Sequence, residues 1–295
     1  PMFLFEWSHK DPVIRELFHN RDFKLGMSHA LDRETINNVV YFGQGTPSQG
    51  VTSPYSPWGR TTEEGRQLME QWRNLGIEYD VDKANELLDS VGLDQRDSDG
   101  FRLRPDGERL SLVMITGNPP ESRAVDVMEM AIEYWRAVGL DITLNLQEPA
   151  AVSERRTTGD YDIDGWDAWT GYYIPTIPDT LYPVGAGYCG FRQVAMWYNT
   201  KGKEGEAPTP GDPMDRLLQA YEKMRAATDP EERNKWVLEG VKIHINDGPF
   251  MLAAVNDIPN IVVARKNLRN IPDFAFTGSW TQGAPGCTHP PLYFY

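Results

Sequence analysis

LSLVMITGNPPESRAVDVMEMAIEYWRAVGLDITLNL, residues Leu110–Leu146, decides the fold. Its first seven residues form an apolar run, as in a strand covered on both faces. Glu121–Val138 then places Val125, Met128, Ile132 and Trp135 on one helical face, and Gly139 ends it. Leu140, Ile142, Leu144 and Leu146 alternate with Asp141, Thr143 and Asn145, the period of a strand. Strand, helix and strand make a βαβ unit with a parallel sheet, so the chain is α/β.

The next segment, GDYDIDGWDAWTGYYIPTIPDTLYP (Gly159–Pro183), is expected to open as a short strand over Asp160–Ile163. It continues as a run of rings, Trp166, Trp169, Tyr172, Tyr173 and Tyr182, interrupted by Gly165, Gly171, Pro175, Pro178 and Pro183. Gly and Pro keep such a run out of regular structure. The rings either pack beneath the loop or line a cleft. Ligands of open α/β sheets bind beyond the carboxyl ends of the strands, which favours the cleft. Aromatic faces beside Asp162, Asp164, Asp167 and Asp179 suit a ligand that is both apolar and hydrogen-bonding. A second Pro- and aromatic-rich loop, Val51–Arg60, offers Tyr55 and Trp58 to the same ligand.

Upstream, Met2–Trp7 reads as a strand, Asp11-Pro12 as a helix start, and Phe23–Val40 as one helix containing Asp32. Val81–Val91 is a short helix capped by Asp80, and Asp97–Glu108 a hairpin with turns at Asp99-Gly100 and Asp106-Gly107. Downstream, Tyr198–Pro210 is expected to be a mobile connection. Pro213–Ala226 is a helix, and Asp229 caps another beginning at Pro230. Phe250–Val255 and Asn260–Ala264 are expected strands.

Composition excludes several classes. The chain has 295 residues, a net charge of −14 and a pI near 4.8, with no basic cluster for nucleic acid. No GxSxG elbow, HExxH pair or phosphate-binding glycine spacing occurs, and the five histidines are scattered. No metal, cofactor or catalytic residue is therefore assigned. An enzyme using Asp162, Asp164 or Asp167 on carbohydrate is the remaining catalytic alternative, since glycosidases work with carboxylate pairs. Cys189 and Cys287 fit one bridge or two free thiols. No apolar run approaches the ~20 residues that span a bilayer. The start, Pro1-Met2-Phe3-Leu4-Phe5, reads as mid-strand, and a fragment without its N-terminal portion and export signal is expected.

Several segments resemble, in order, the family 5 extracellular solute-binding proteins, the oligopeptide- and dipeptide-binding proteins of bacterial ABC importers. They are DFKLGMSHALDRETINNVVYFGQG (Asp22–Gly45), YDVDKANELLDSVG (Tyr79–Gly92), DGFRLRPDGERL (Asp99–Leu110), VGLDITLNLQE (Val138–Glu148), the aromatic loop and IVVARKNLRNIP (Ile261–Pro272). The resemblance implies a periplasmic-binding-protein-like (type II) fold. This chain would be the C-terminal lobe, a mixed sheet with flanking helices over residues 1–257, and residues 258–295 a tail returning toward an absent N-terminal lobe. With half the cleft missing, weak binding or none is expected of the fragment alone.

The resemblance further implies a monomeric, non-enzymatic receptor, periplasmic or extracellular and lipid-anchored in some settings. It would deliver a small oligomeric solute, peptide or oligosaccharide, to an ABC permease in the inner membrane. Trp166, Trp169, Tyr172, Tyr173, Asp164, Asp167, Tyr55 and Trp58 are the candidate ligand-binding residues. Peptide-binding members carry a pattern like GWxxDYxxP whose Asp anchors the peptide amino terminus. Here Trp169 is followed by Tyr172 at the Asp position, with Pro175 one residue early. A Tyr is no anionic partner for an ammonium group. Asp167 substitutes only in a remodelled loop, so an oligosaccharide stacked on Trp58, Trp166, Trp169 and Trp197 is the alternative ligand.

Overall fold

The structure, a computed structural model, describes residues 2–50, 52, 54–166, 174–185, 190–259 and 263–271. In chain order the elements are β1 (Met2–Phe5), α1 (Pro12–His19), α2 (Arg21–His29), α3 (Arg33–Tyr41), β2 (Thr46–Pro47), α4 (Glu63–Arg73) and α5 (Val81–Leu88). Then come β3 (Ser111–Thr116), α6 (Arg123–Ala137), β4 (Asp141–Leu146), α7 (Pro149–Thr158), β5 (Ile163–Trp166), α8 (Arg192–Asn199), α9 (Pro213–Ala226), α10 (Pro230–Asn246), β6 (Met251–Ala253) and β7 (Val255–Asn256).

The main sheet has the order β4-β3-β5-β1-β6. β3 runs parallel to β4 and β5, while β1 is antiparallel to both β5 and β6. The expected α/β architecture with a mixed sheet and flanking helices is what the chain adopts. The βαβ unit is β3–α6–β4, and Gly139, with φ +88°, supplies the left-handed residue after α6.

Every residue of β1 is buried. Phe3 and Phe5 enter the core built with α1, α2, α3, α5 and α6, and Met2 and Leu4 enter the core built with α4, α9 and α10. Period-2 alternation therefore divides one four-residue strand between two cores. Phe3 meets Trp135 edge-on at 4.9 Å, and the Trp135 Nε1–H donates to Met27 O at 2.8 Å. Gly165 of β5 faces the same core, where a Cβ would lie 2.6 Å from Met128 Sδ. α6 can approach β5 so closely because position 165 lacks a side chain.

The helix caps follow the sequence signals: Asp11, Asp80 and Asp229 accept from the amides of Val13, Lys83 and Glu232. Five expectations need correction. Phe23–Val40 is two helices: α2 stops, and Asp32 caps α3 by accepting from the Thr35 amide. The break is held by buried Arg33, which donates to Ala253 O at 2.9 Å, Ser28 O at 2.8 Å and Ser28 Oγ at 2.8 Å, tying α3 to α2 and β6.

The strand expected over Asp160–Ile163 is displaced to Ile163–Trp166, because β1 pairs in that register, Phe5 with Ile163 and Met2 with Trp166. Phe250–Val255 divides into β6 and β7, which join different sheets. The Tyr198–Pro210 connection is fastened: Arg15 grips Glu206 through both oxygens at 2.9 and 3.0 Å, and the Glu206 amide donates to Gln193 O. The strand expected over Asn260–Ala264 falls partly outside the described residues, and Val263 and Ala264 belong to no strand. α4, α7 and α8 were not anticipated.

Lys24 of α2 is fully buried with no hydrogen-bond partner for Nζ among the described residues, 5.0 Å from the Phe250 ring centroid and 5.7 Å from that of Trp7. Burial, helped by the neighbouring Arg21 charge, brings its ammonium down to about 7. The unfolded chain therefore holds one more proton than the native one between about pH 7 and the ordinary lysine value. Native stability gains as pH rises through that window, and below it the full penalty applies. Lys24→Met is expected to raise Tm by on the order of 5 °C at pH 7. The gain should shrink toward pH 10 in differential scanning calorimetry.

Candidate functional site

β5 delivers the aromatic segment. Trp166 is its last residue and pairs with Met2, so the chain leaves the sheet at the carboxyl end of the parallel strands, beside the start of β1. Asp164 and Trp166 share one face of β5, and α7 covers it. Arg156 of α7 donates through Nε and Nη2 to the two oxygens of Asp164, at 2.6 and 2.8 Å. Its guanidinium carbon also lies 3.9 Å from the Trp166 ring centroid. One planar cation thus serves a carboxylate along its edge and an indole across its face, which a lysine ammonium cannot do. Trp166 is partly buried, and its Nε1–H has no acceptor among the described residues.

Around this pair lie Glu6, Tyr161 and Arg192. Glu6 follows β1, its amide donating to Asp162 O and its carboxylate accepting from the Ser8 amide at 3.0 Å. Burial lifts the Glu6 carboxyl to about 7, against the opposing Tyr161 and Ser8 hydrogen bonds. Burial likewise raises Asp164, against the pull of Arg156, and pushes the Tyr161 phenol well above its ordinary range. Arg192 of α8 contributes a second guanidinium, its charge felt by Asp164.

The candidate residues fall in different places. Asp164, expected to face a ligand, has only 2% of its side chain exposed, and both oxygens are engaged by Arg156 instead. Asp162, the other strand carboxylate, accepts from the Val113 amide at 2.6 Å and His9 Nε2 at 2.7 Å. Burial disfavours the charged His9 ring, but Asp162 outweighs it and the ring titrates above its usual range. Asp162 and Asp164 are thus both committed to internal partners, which removes the geometry a carboxylate pair in glycoside hydrolysis would need from them. Among the described residues no group of three or more metal-ligating side chains occurs.

Trp58 is 3% exposed and tilted against Trp72 at 6.3 Å, within the α4 core. Tyr55 is 43% exposed, with the Arg60 guanidinium 5.7 Å from its ring. Tyr182 is fully buried, its hydroxyl donating to Trp236 O at 2.9 Å, so this ring of the aromatic run belongs to the core. Trp197 packs, partly buried, on the same core. Asp167, Trp169, Tyr172, Tyr173, Cys189 and Cys287 lie outside the described residues.

Sequence inspection missed Arg156 and Arg192 because it missed α7 and α8. α7 buries only Val152 and Arg156, too sparse a stripe to register as periodicity. Pro149 in its first turn and Gly159, left-handed just past its end, were the available signals.

The Glu6 carboxyl makes a pH prediction. With a folded value near 7, above its ordinary one of 4.5, the native state holds an extra proton between the two. That contribution is complete at low pH and disappears as pH rises through about 7. Glu6→Gln keeps the shape without the titration. Its Tm relative to the unmodified chain should be higher at pH 8 than at pH 5; thermal melts showing a pH-independent difference would exclude the assignment.

A model for "bacterial extracellular solute-binding proteins, family 5 Middle" matches residues 2–187. A solved structure of an oligopeptide-binding protein OppA superposes with a TM-score of 0.79 at 27% identity, covering 99% of this chain and 46% of that one. The periplasmic alpha-galactoside-binding protein of Rhizobium meliloti (strain 1021) is 22% identical over 279 residues, 92% of this chain and 37% of its own length. The oligopeptide-binding protein AppA of Bacillus subtilis (strain 168) is 25% identical over 173 residues, 59% of this chain and 29% of its own. The chain spans less than half the length of each of these relatives.

Proposed function

The chain belongs to the bacterial extracellular solute-binding proteins, family 5, and from that premise we propose that it is the C-terminal lobe of an ABC-importer receptor. The family match over residues 2–187 carries this reading. Residues 1–257 form the lobe and 258–295 the tail that returns to a second lobe. The receptor is periplasmic or extracellular, anchored by lipid where no outer membrane retains it. It acts as a monomer and is not an enzyme. An oligomeric solute enters between the lobes, closure traps it, and the closed form is handed to the permease. Closure is a shift between two states, driven by the difference in ligand affinity between them.

Trp166 stands at the carboxyl end of β5, where Trp169, Tyr172 and Tyr173 follow in sequence. We assign these rings to stacking on the solute, with Tyr55 at the rim and Asp167 as its hydrogen-bonding carboxylate. Trp58 supports the wall through Trp72, and Asp164 acts through Arg156 and Trp166.

The relatives divide between an oligopeptide-binding and an alpha-galactoside-binding protein, and Tyr172 in place of the ammonium-anchoring Asp favours the sugar within the same mechanism. Thermal-shift screening of the full-length protein against di- to pentapeptides and galactose-, glucose- and mannose-containing oligosaccharides tests it. A saturating ligand at a hundred times its Kd stabilises by about 2.7 kcal/mol, and a clear Tm rise without product formation is expected. Product without a Tm rise would instead establish an enzyme. Trp169→Ala should weaken the bound ligand roughly tenfold or more, stacked aromatics being worth about 1–3 kcal/mol in comparable sites; unchanged affinity removes Trp169 from the cleft.

A further inference from the structure

We propose that Arg156, packed against Trp166, makes that ring a subsite for neutral or anionic ligand groups and turns cationic ones away. The inference rests on Trp166 belonging to the ligand cleft proposed above. An indole attracts cations because its face carries negative potential. Here that potential is already spent: the Arg156 guanidinium carbon sits 3.9 Å from the ring centroid. The arrangement is fixed, because the same guanidinium is locked edge-on to Asp164 by hydrogen bonds of 2.6 and 2.8 Å within a buried pair. A second cation at Trp166 meets a ring whose potential is already weakened by the guanidinium held against it.

The surrounding charge reinforces this. The Arg192 charge also acts on Asp164. Against Arg156 and Arg192 stand the Asp164 carboxylate and Glu6, whose carboxyl, near 7, is only partly ionised at neutral pH. A neutral ligand surface or hydrogen-bond acceptor keeps everything the ring offers. The Trp166 Nε1–H is buried and has no acceptor among the described residues, so it is the ring face and not the N–H that the subsite offers. The site therefore suits uncharged sugars, or peptide portions without lysine, arginine or the amino terminus.

The test needs no ligand in its first part. In the full chain, the Trp166 emission is isolated as the difference between the unmodified protein and Trp166→Phe, and quenched with caesium and with acrylamide. The caesium-to-acrylamide ratio should lie well below that of N-acetyltryptophanamide, and a ratio equal to it overturns the proposal without any further variant. Arg156→Gln/Asp164→Asn keeps a hydrogen-bonded pair but removes both charges, and should raise the ratio roughly fivefold, as expected for the loss of one close cation.

In the second part, calorimetry compares trialanine, a lysine-containing tripeptide and a neutral oligosaccharide. The neutral pair should narrow the preference for neutral ligands about fivefold. Binding intact with an unchanged preference overturns the role of Arg156 alone. Failure of the full-length receptor to bind any of the three overturns the cleft reading, and the subsite with it.

Discussion

The antiparallel pairing of β1 with β5 is the constraint from which the rest follows. β1 contributes four residues, yet it is the strand that both cores share and the partner of both β5 and β6. Its register places Phe5 opposite Ile163 and Met2 opposite Trp166. A slip by one residue would send Phe3 and Phe5 to the wrong core and Trp166 to the opposite face. Such a slip would also set a side chain other than Gly165 against Met128, where no Cβ fits. Hydrophobic burial and steric exclusion thus agree on one register, and that register sets where the aromatic segment leaves the sheet.

Beneath that exit the protein places charge beside the hydrocarbon of the α4, α9 and α10 core, on which Trp166 also packs. Arg156, Asp164, Glu6 and Tyr161 are all buried or nearly so, and Arg192 stands at their edge. A buried ion pair earns little net stability over an apolar pair of the same shape, while losing one partner costs about 3–5 kcal/mol. Its value here is geometric. The fork at Asp164 fixes the guanidinium plane, and the plane fixes the indole it stacks on.

How far the residues announced this can be traced one by one. The βαβ unit was legible because strand and helix periods differ and Leu110–Leu146 shows both, and Asp11, Asp80 and Asp229 announced their helices through capping chemistry. Asp32 carries the same signal, but the apolar pattern runs on through it, and only the Arg33 hydrogen bonds across three elements explain the break. A strand leading into the aromatic segment was legible, but not its bounds or its register, which β1 sets from some 160 positions away in sequence. Asp164 was taken for a ligand group because a carboxylate next to a tryptophan looks the same in one dimension whether it faces solvent or an arginine. What decides is Arg156, eight residues earlier on a helix too polar to be seen.

Two independent features bear on the solute. One is local to the sequence: Tyr172 occupies the place where peptide-binding relatives put the carboxylate that receives an ammonium group. The other is three-dimensional: the tryptophan ending β5 already carries a guanidinium on its ring. In the proposed cleft the first removes one anion, leaving Asp167, and the second sets a guanidinium against the ring that ends β5. Both changes penalise the same ligand class and neither penalises a hydroxyl-rich one. A cleft built to hold peptide amino termini would need the opposite sign at each position. Both features support the neutral oligomeric solute proposed above.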